Sequence, residues 1–247
     1  MSQKLETLSG LHVVTEALRA RRRDLHVLYV ARGLGPEGGD LRRLADLLRV
    51  NCVEVAREEL DRRASSSKHQ GVVLLASPVP ESSLDEVLVS SSLLLASDGV
   101  EDPQNFGALL RVADAMGASG LIATRRRSSP ITPAVAKASA GALEHVPVVR
   151  VTNLRRSLDL VRAAGFWIIA ADADGEMSLY SPEVDRLWQD SVLLVLGSEG
   201  RGVRPIIKKM ADVVVRIPMK GQVASLNVSN AAAVMLGNRA RARKNGS

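Results

Sequence analysis

Apolar residues in the second half of this 247-residue chain fall in short unbroken runs, at 93–96, 120–123, 146–149, 166–170, 192–196 and 213–217. Each run has the length of a strand, and most are separated by helical spacing, as at 108–116 and 154–163. Strands that are apolar on both sides must be covered on both faces, which predicts an α/β fold with a mostly parallel sheet between helices. Such sheets collect ligands at the carboxyl ends of their strands. Three loops leave strands at that edge rich in glycine and polar residues: 98–111, 197–202 and 218–227. The first half alternates as well, with an amphipathic segment at 11–20, an apolar run at 26–31, a leucine-rich helical pattern at 41–50 and a strand at 71–76. It ends at Ser77-Pro78-Val79-Pro80-Glu81-Ser82-Ser83, where two prolines and three serines without periodicity predict a linker. The expected division is a small domain over 1–77, a linker over 78–91 and a larger domain over 92–247.

Composition narrows the class. A hydrophobic fraction of 46% with 24% charged residues fits a soluble globular protein, and no apolar run is long enough to span a bilayer. The start, Met-Ser-Gln-Lys-Leu-Glu-Thr, has no secretory hydrophobic region, so the expectation is a cytoplasmic protein with no membrane partner. Cys52 is the single cysteine, and the four histidines are scattered, which argues against a disulfide and against a structural metal. The net charge of +6 is concentrated in arginine clusters at Arg19 with 21–23, 42–43, 62–63, 125–127, 155–156 and 239–244. These suit a polyanion, because each phosphate neutralised releases counterions; they also suit plain solvated helix faces. Aromatic residues are only 2%, so base stacking on an aromatic platform cannot be the main mode of any nucleic-acid contact.

The three loops do not match common nucleotide signatures. Gly197-Ser198-Glu199-Gly200-Arg201-Gly202 reads G-x-x-G-x-G rather than G-x-G-x-x-G, and it is not a nucleophile elbow either. Asp172-Ala173-Asp174-Gly175 has its glycine two residues too early for a calcium loop and reads as a plain turn. Backbone groups of glycine-rich loops can read an adenine edge while Ile217, Met219 and Leu226 enclose its ring; Ile217 and Leu226 also read as ordinary core residues. Asn105 is placed as a helix cap, and Arg111 shares a face with Ala108 and Ala115 while Leu109, Val112 and Met116 form the apolar stripe. Arg111 can therefore reach a phosphate or carboxylate, or pair with Asp114.

Taken in order, Asn105-x-Gly107-x-x-x-Arg111, Leu196-Gly197-Ser198-Glu199-Gly200-x-Gly202, and Ile217-Pro218-Met219 followed by Ser225-Leu226-Asn227-Val228-Ser229 resemble the three motifs of the SpoU (TrmH) family of RNA 2'-O-ribose methyltransferases. The resemblance covers roughly residues 93–243. It implies a trefoil-knotted (SPOUT) domain with S-adenosylmethionine bound in the knot, and a homodimer whose partners complete each other's sites. It further implies Gly197, Gly200, Ile217, Met219 and Leu226 as cofactor-binding residues, and Asn105, Arg111, Glu199, Ser225 and Asn227 as catalytic residues. A guanidinium with a pKa of roughly 12 or more is a poor base, so Arg111 is expected to orient a phosphate and stabilise alkoxide charge. Gly10-Leu11-His12-x-Val14-x-Glu16-Ala17-Leu18 and Lys68-His69-Gln70-Gly71-Val72 resemble the L30e-like RNA-binding domain of the ribosomal branch. That favours a guanosine of 23S rRNA in the peptidyl-transferase region as substrate. A tRNA enzyme, an antibiotic-resistance rRNA methyltransferase and a non-catalytic RNA-binding or ribosome-assembly protein are the alternatives. Phe106 and Asn230 depart from other members without touching an implied site residue.

Overall fold

The computed structural model describes residues 5–89, 91–222 and 225–245, which pack as two compact units. The first comprises the chain up to Pro80 together with Ile131–His145. Its elements are β1 (Glu6–Ser9), α1 (Leu11–Ala20), β2 (Leu25–Ala31), α2 (Gly35–Leu47), β3 (Asn51–Val55), α3 (Arg57–Ala64) and β4 (Val72–Ala76). The sheet order is β1-β4-β2-β3, with antiparallel pairs except for parallel β2 and β3. The later segment adds α6 (Pro133–Ala138), which packs on β1, and a 3-10 turn (Ala142–Glu144), which packs on α1.

A buried ion pair ties that segment into the first unit. The Arg23 guanidinium donates to both oxygens of Glu144 at 2.8–3.0 Å, to Glu6 at 2.7 Å and to the Ser77 carbonyl at 3.0 Å. The side chains of Arg23 and Glu144 are fully buried. Burial works against the Arg23 charge, but Glu144 and Glu6 overcome it and hold the guanidinium pKa above its ordinary value.

The second unit begins with α4 (Leu84–Leu88), inside the stretch read from sequence as linker. A capping box forms it: Glu86 N donates to Ser83 Oγ at 3.2 Å and Ser83 N to Glu86 Oε2 at 3.0 Å. There follow β5 (Leu93–Asp98), α5 (Pro103–Ala115), β6 (Leu121–Thr124), β7 (Val148–Val151), α7 (Leu154–Ala163), β8 (Trp167–Ala171), β9 (Met177–Ser178), α8 (Pro182–Leu187), β10 (Val192–Gly197), α9 (Pro205–Lys208), β11 (Val213–Arg216) and α10 (Val228–Asn245). The sheet order is β7-β6-β5-β10-β8-β11-β9 and every pair is parallel. All six apolar runs read from sequence are strands of this sheet; the short β9 has no such run behind it.

One sheet face packs Leu94, Ile122, Ile168 and Leu193 against Leu158 and Val161 of α7. Helix α10 packs against α5 and α8, and Trp188 Nε1 donates to Asn238 Oδ1 at 2.9 Å. The α5 stripe differs from the sequence expectation: Phe106, Leu109, Leu110 and Ala113 are buried, whereas Val112 and Met116 are only partly so. The C-terminal arginine cluster is largely structural. Arg239 is buried and donates to the Ser92 carbonyl at 3.1 Å, its pKa pulled down to about 10 by burial and by Arg243, and Arg241 pairs with Asp185 at 2.6 Å.

Candidate active site

The carboxyl ends of β8, β10 and β11 surround a cavity of about 320 Å³. After β10, the chain turns back on itself: Gly202 N donates to the Ser198 carbonyl at 2.9 Å, and Gly200 and Gly202 take positive φ of 79° and 63°. Gly197 lies so close to the returning strand that a Cβ there would sit 2.0 Å from the Gly202 carbonyl carbon. Only glycine permits that approach. The fold of this loop is braced from two sides. Asp98, buried at the end of β5, accepts from Arg204 N at 3.0 Å and from Arg204 Nε at 2.7 Å. Asp172, at the end of β8, accepts from Val203 N and Asp174 N at 3.2 Å each and pairs with Lys208 at 2.8 Å. Burial would raise the Asp172 carboxyl, yet Lys208 and the two backbone donors outweigh it and hold the pKa below its ordinary value.

The first turn of α5, the loop after β10 and the start of α10 meet at one amide. Asn227 caps α10: its Oδ1 accepts from Ser229 N at 3.0 Å and Ser229 Oγ at 2.7 Å, and its carbonyl accepts from Ala231 N at 2.9 Å. Its Nδ2 donates to Asn105 Oδ1 at 2.8 Å and to Glu199 Oε1. Asn105 is free for this because the cap of α5 is Asp102, whose Oδ1 accepts from Asn105 N at 2.8 Å; the sequence reading of Asn105 as the cap is corrected. Glu199 Oε2 makes no hydrogen bond among the described residues.

Of the residues singled out from sequence, Gly197, Gly200, Ile217, Met219, Leu226, Glu199 and Ser225 all line the cavity. Asn105 and Asn227 join it through the bond to Glu199. Arg111 does not line it. It is exposed on α5, two turns beyond Asn105, and among the described residues it has no hydrogen bond or ion pair, including none to Asp114. The sequence reading missed Asp172, Lys208 and Arg201, which also line the cavity. Asp172 could have been suspected from its place at a strand's carboxyl end.

The cavity suits an adenosyl ligand. Leu196, Val215, Ile217, Met219 and Leu226 offer apolar walls, the glycine loop offers backbone groups, and Asp172, Glu199, Lys208 and Ser225 add polar side chains to the lining. Its volume falls at the lower end of the range usual for small-molecule sites, roughly 300–1,000 Å³. Among the described residues there is no group of three acidic, histidine or cysteine side chains fit to hold a metal, and no helix long and apolar enough to cross a membrane.

Two family models match the chain: the SpoU rRNA Methylase family over residues 92–237, and an RNA 2'-O ribose methyltransferase substrate-binding family over residues 7–82. The chain is 39% identical to a 23S rRNA (guanosine-2'-O-)-methyltransferase RlmB of Pseudomonas syringae pv. tomato, covering 96% of this chain and 95% of the relative. It is 36% identical to the protein of the same name in Vibrio cholerae, covering 94% of each. Among solved structures, the SpoU methyltransferase AviRb from Streptomyces viridochromogenes in complex with the cofactor AdoMet aligns with a TM-score of 0.81 at 26% identity, covering 98% of this chain and 92% of the other.

Proposed function

Since this chain belongs to the SpoU rRNA methylase family, we propose that it transfers a methyl group from S-adenosylmethionine to the 2'-hydroxyl of a ribose in 23S rRNA, at a guanosine. The single observation that carries this reading is the convergence of Asn105, Glu199 and Asn227, from three separate segments, beside a cavity of nucleoside dimensions. S-adenosylmethionine, when bound, supplies an electrophilic methyl group on a sulfonium sulfur. Gly197 and Gly200 offer backbone to its adenosyl group, Ile217, Met219 and Leu226 flank it, and the polar cluster faces the incoming ribose.

Asn227 fixes Glu199 through Oε1, which leaves Oε2 to accept the proton of the ribose hydroxyl; the donor would supply the methyl group, its carbon–sulfur bond breaking to leave the thioether as the oxygen–carbon bond forms. Ser225 and Asn105 complete the polar surround. Arg111 pairs with an RNA phosphate and offsets charge developing on the ribose oxygen, a task suited to a cation that stays protonated. Its exposed position away from the cavity supports a homodimer in which Arg111 of one protomer serves the site of its partner. The work is divided along the chain: an L30e-like RNA-binding domain over 1–77, a connecting segment over 78–91 and a trefoil-knotted transferase over 92–247, acting in the cytoplasm. The match of residues 7–82 to a substrate-binding family supports the first assignment.

Purified protein, labelled S-adenosylmethionine and 23S rRNA should yield a 2'-O-methylguanosine in the nucleoside digest. RNA binding by calorimetry without methyl transfer to any rRNA or tRNA would instead make it a non-catalytic RNA-binding protein.

A further inference from the structure

The arginine clusters divide into those the fold consumes and those it leaves free. Arg23 is buried on Glu144, Arg42 and Arg43 pair with Glu54 and Asp40, Arg62 and Arg63 pair with Glu59, and Arg239 and Arg241 are held by Ser92 and Asp185. In the second unit, Arg126, Arg127, Arg155 and Arg156 are exposed and, among the described residues, have no hydrogen bond or ion pair from their side chains. They occupy one place. Arg126 and Arg127 follow β6, Arg155 and Arg156 open α7 just after β7, and β6 and β7 are adjacent with Thr124 opposite Val151.

The loop that carries the first pair is held rigidly by its backbone. Arg125 N donates to the Val151 carbonyl at 2.8 Å and Ser129 N to the Val100 carbonyl at 3.0 Å. Arg150, half-buried in β7, donates to the Ser129 carbonyl at 2.8 Å and to the Arg125 carbonyl at 3.4 Å. Arg127 adopts φ of 57°, a left-handed conformation that costs a non-glycine residue roughly 1–2 kcal/mol. Arg125 alone is neutralised, by Glu81. A loop anchored through its carbonyls and amides, with its guanidinium groups left outward, is organised to hold an anion rather than to bind itself.

That edge is also the edge of the candidate active site. β6 lies two strands from β10, about 10 Å at the usual strand spacing. About three stacked nucleotides, at roughly 3.4 Å each, cover that span. We propose that Arg126, Arg127, Arg155 and Arg156 form a rim that grips backbone phosphates of the substrate RNA next to the nucleotide being methylated, a contact that rests on the RNA methyltransferase reading above. It is a phosphate contact without base stacking, since neither 124–130 nor 150–156, the segments that carry the four guanidinium groups, contains an aromatic residue.

The test uses the full chain, an rRNA fragment containing the methylation site, and filter binding across a salt series. Replacing all four arginines by glutamine is expected to weaken RNA binding and to lower the slope of log K against log salt by about 3, at 0.7–0.9 per lost phosphate contact. Donor affinity measured by calorimetry should stay unchanged, and the four lysine replacements should restore most of the RNA affinity because they keep the charge. Arg150→Met, which removes the side chain that holds the loop by its carbonyls and leaves the four rim guanidinium groups in place, should also weaken RNA binding. An unchanged salt slope in the glutamine variant overturns the proposal, and an unchanged slope with an altered oligomeric state in light scattering reassigns the rim to a protein contact. Failure of the activity reading shows separately, as a wild-type chain that methylates no RNA.

Discussion

Asn227 joins segments that lie 28 and 122 residues away in sequence, and it does so while its own oxygen caps α10. Both amide hydrogens are in use, so the orientation of Glu199 is coupled to the integrity of a helix start. Arg111 is the opposite case, an exposed cation that the fold does not employ. Arg111→Ala is expected to lower kcat by about 100-fold or more, the scale of losing one group that stabilises transition-state charge. Calorimetry should find donor affinity unaltered; a large loss there would make Arg111 structural. Asn105, Glu199 and Asn227 can be picked out from sequence through the resemblance of their segments to the SpoU motifs. Their bonds to one another cannot, since the three lie 28 and 122 residues apart in separate segments. The role of Asp172 stays hidden for the same reason, although its place at a strand's end is legible: its brace on the loop after β10 depends on a strand neighbour that sequence order conceals.

Among the elements, the loop between β10 and α9 is the least tolerant of change. A Cβ on Gly197 would meet backbone at 2.0–2.2 Å, which no side-chain motion relieves, whereas Gly200 has open space around it and only a positive φ. Gly197→Ala is expected to cost more than about 2 kcal/mol and to abolish donor binding, while Gly200→Ala costs about 1 kcal/mol. Urea denaturation and calorimetry separate the two, and equal effects would mean that the loop yields more than its packing suggests. The central strands are legible in the sequence because burial on both faces demands unbroken apolar runs. Helix α4 is not, although its capping signature, Ser83 with Glu86, is present, because a five-residue helix has no room to show a period. Among the described residues the two-residue β9 pairs with one strand, β11.

For the whole molecule, the most consequential arrangement is the membership of Ile131–His145 in the first unit. Glu144→Ala leaves Arg23 buried beside a lost partner, and breaking such a pair costs about 3–5 kcal/mol. Hydrogen exchange should show lost protection in β1 and β4, and the Arg23→Met, Glu144→Met double variant should recover most of it. No protection change would mean that the pair is dispensable. Periodicity cannot reveal this arrangement, because it reports on neighbours in sequence and the contact spans 121 residues. It also sets an order of events during synthesis. About fifty residues separate Pro80 from Ile131. At roughly 5–20 residues per second, the ribosome needs about 3–10 s to cover them. Through that interval β1 lacks α6 and Arg23 has Glu6 but not Glu144, so the part of the protein made first is not the part finished first.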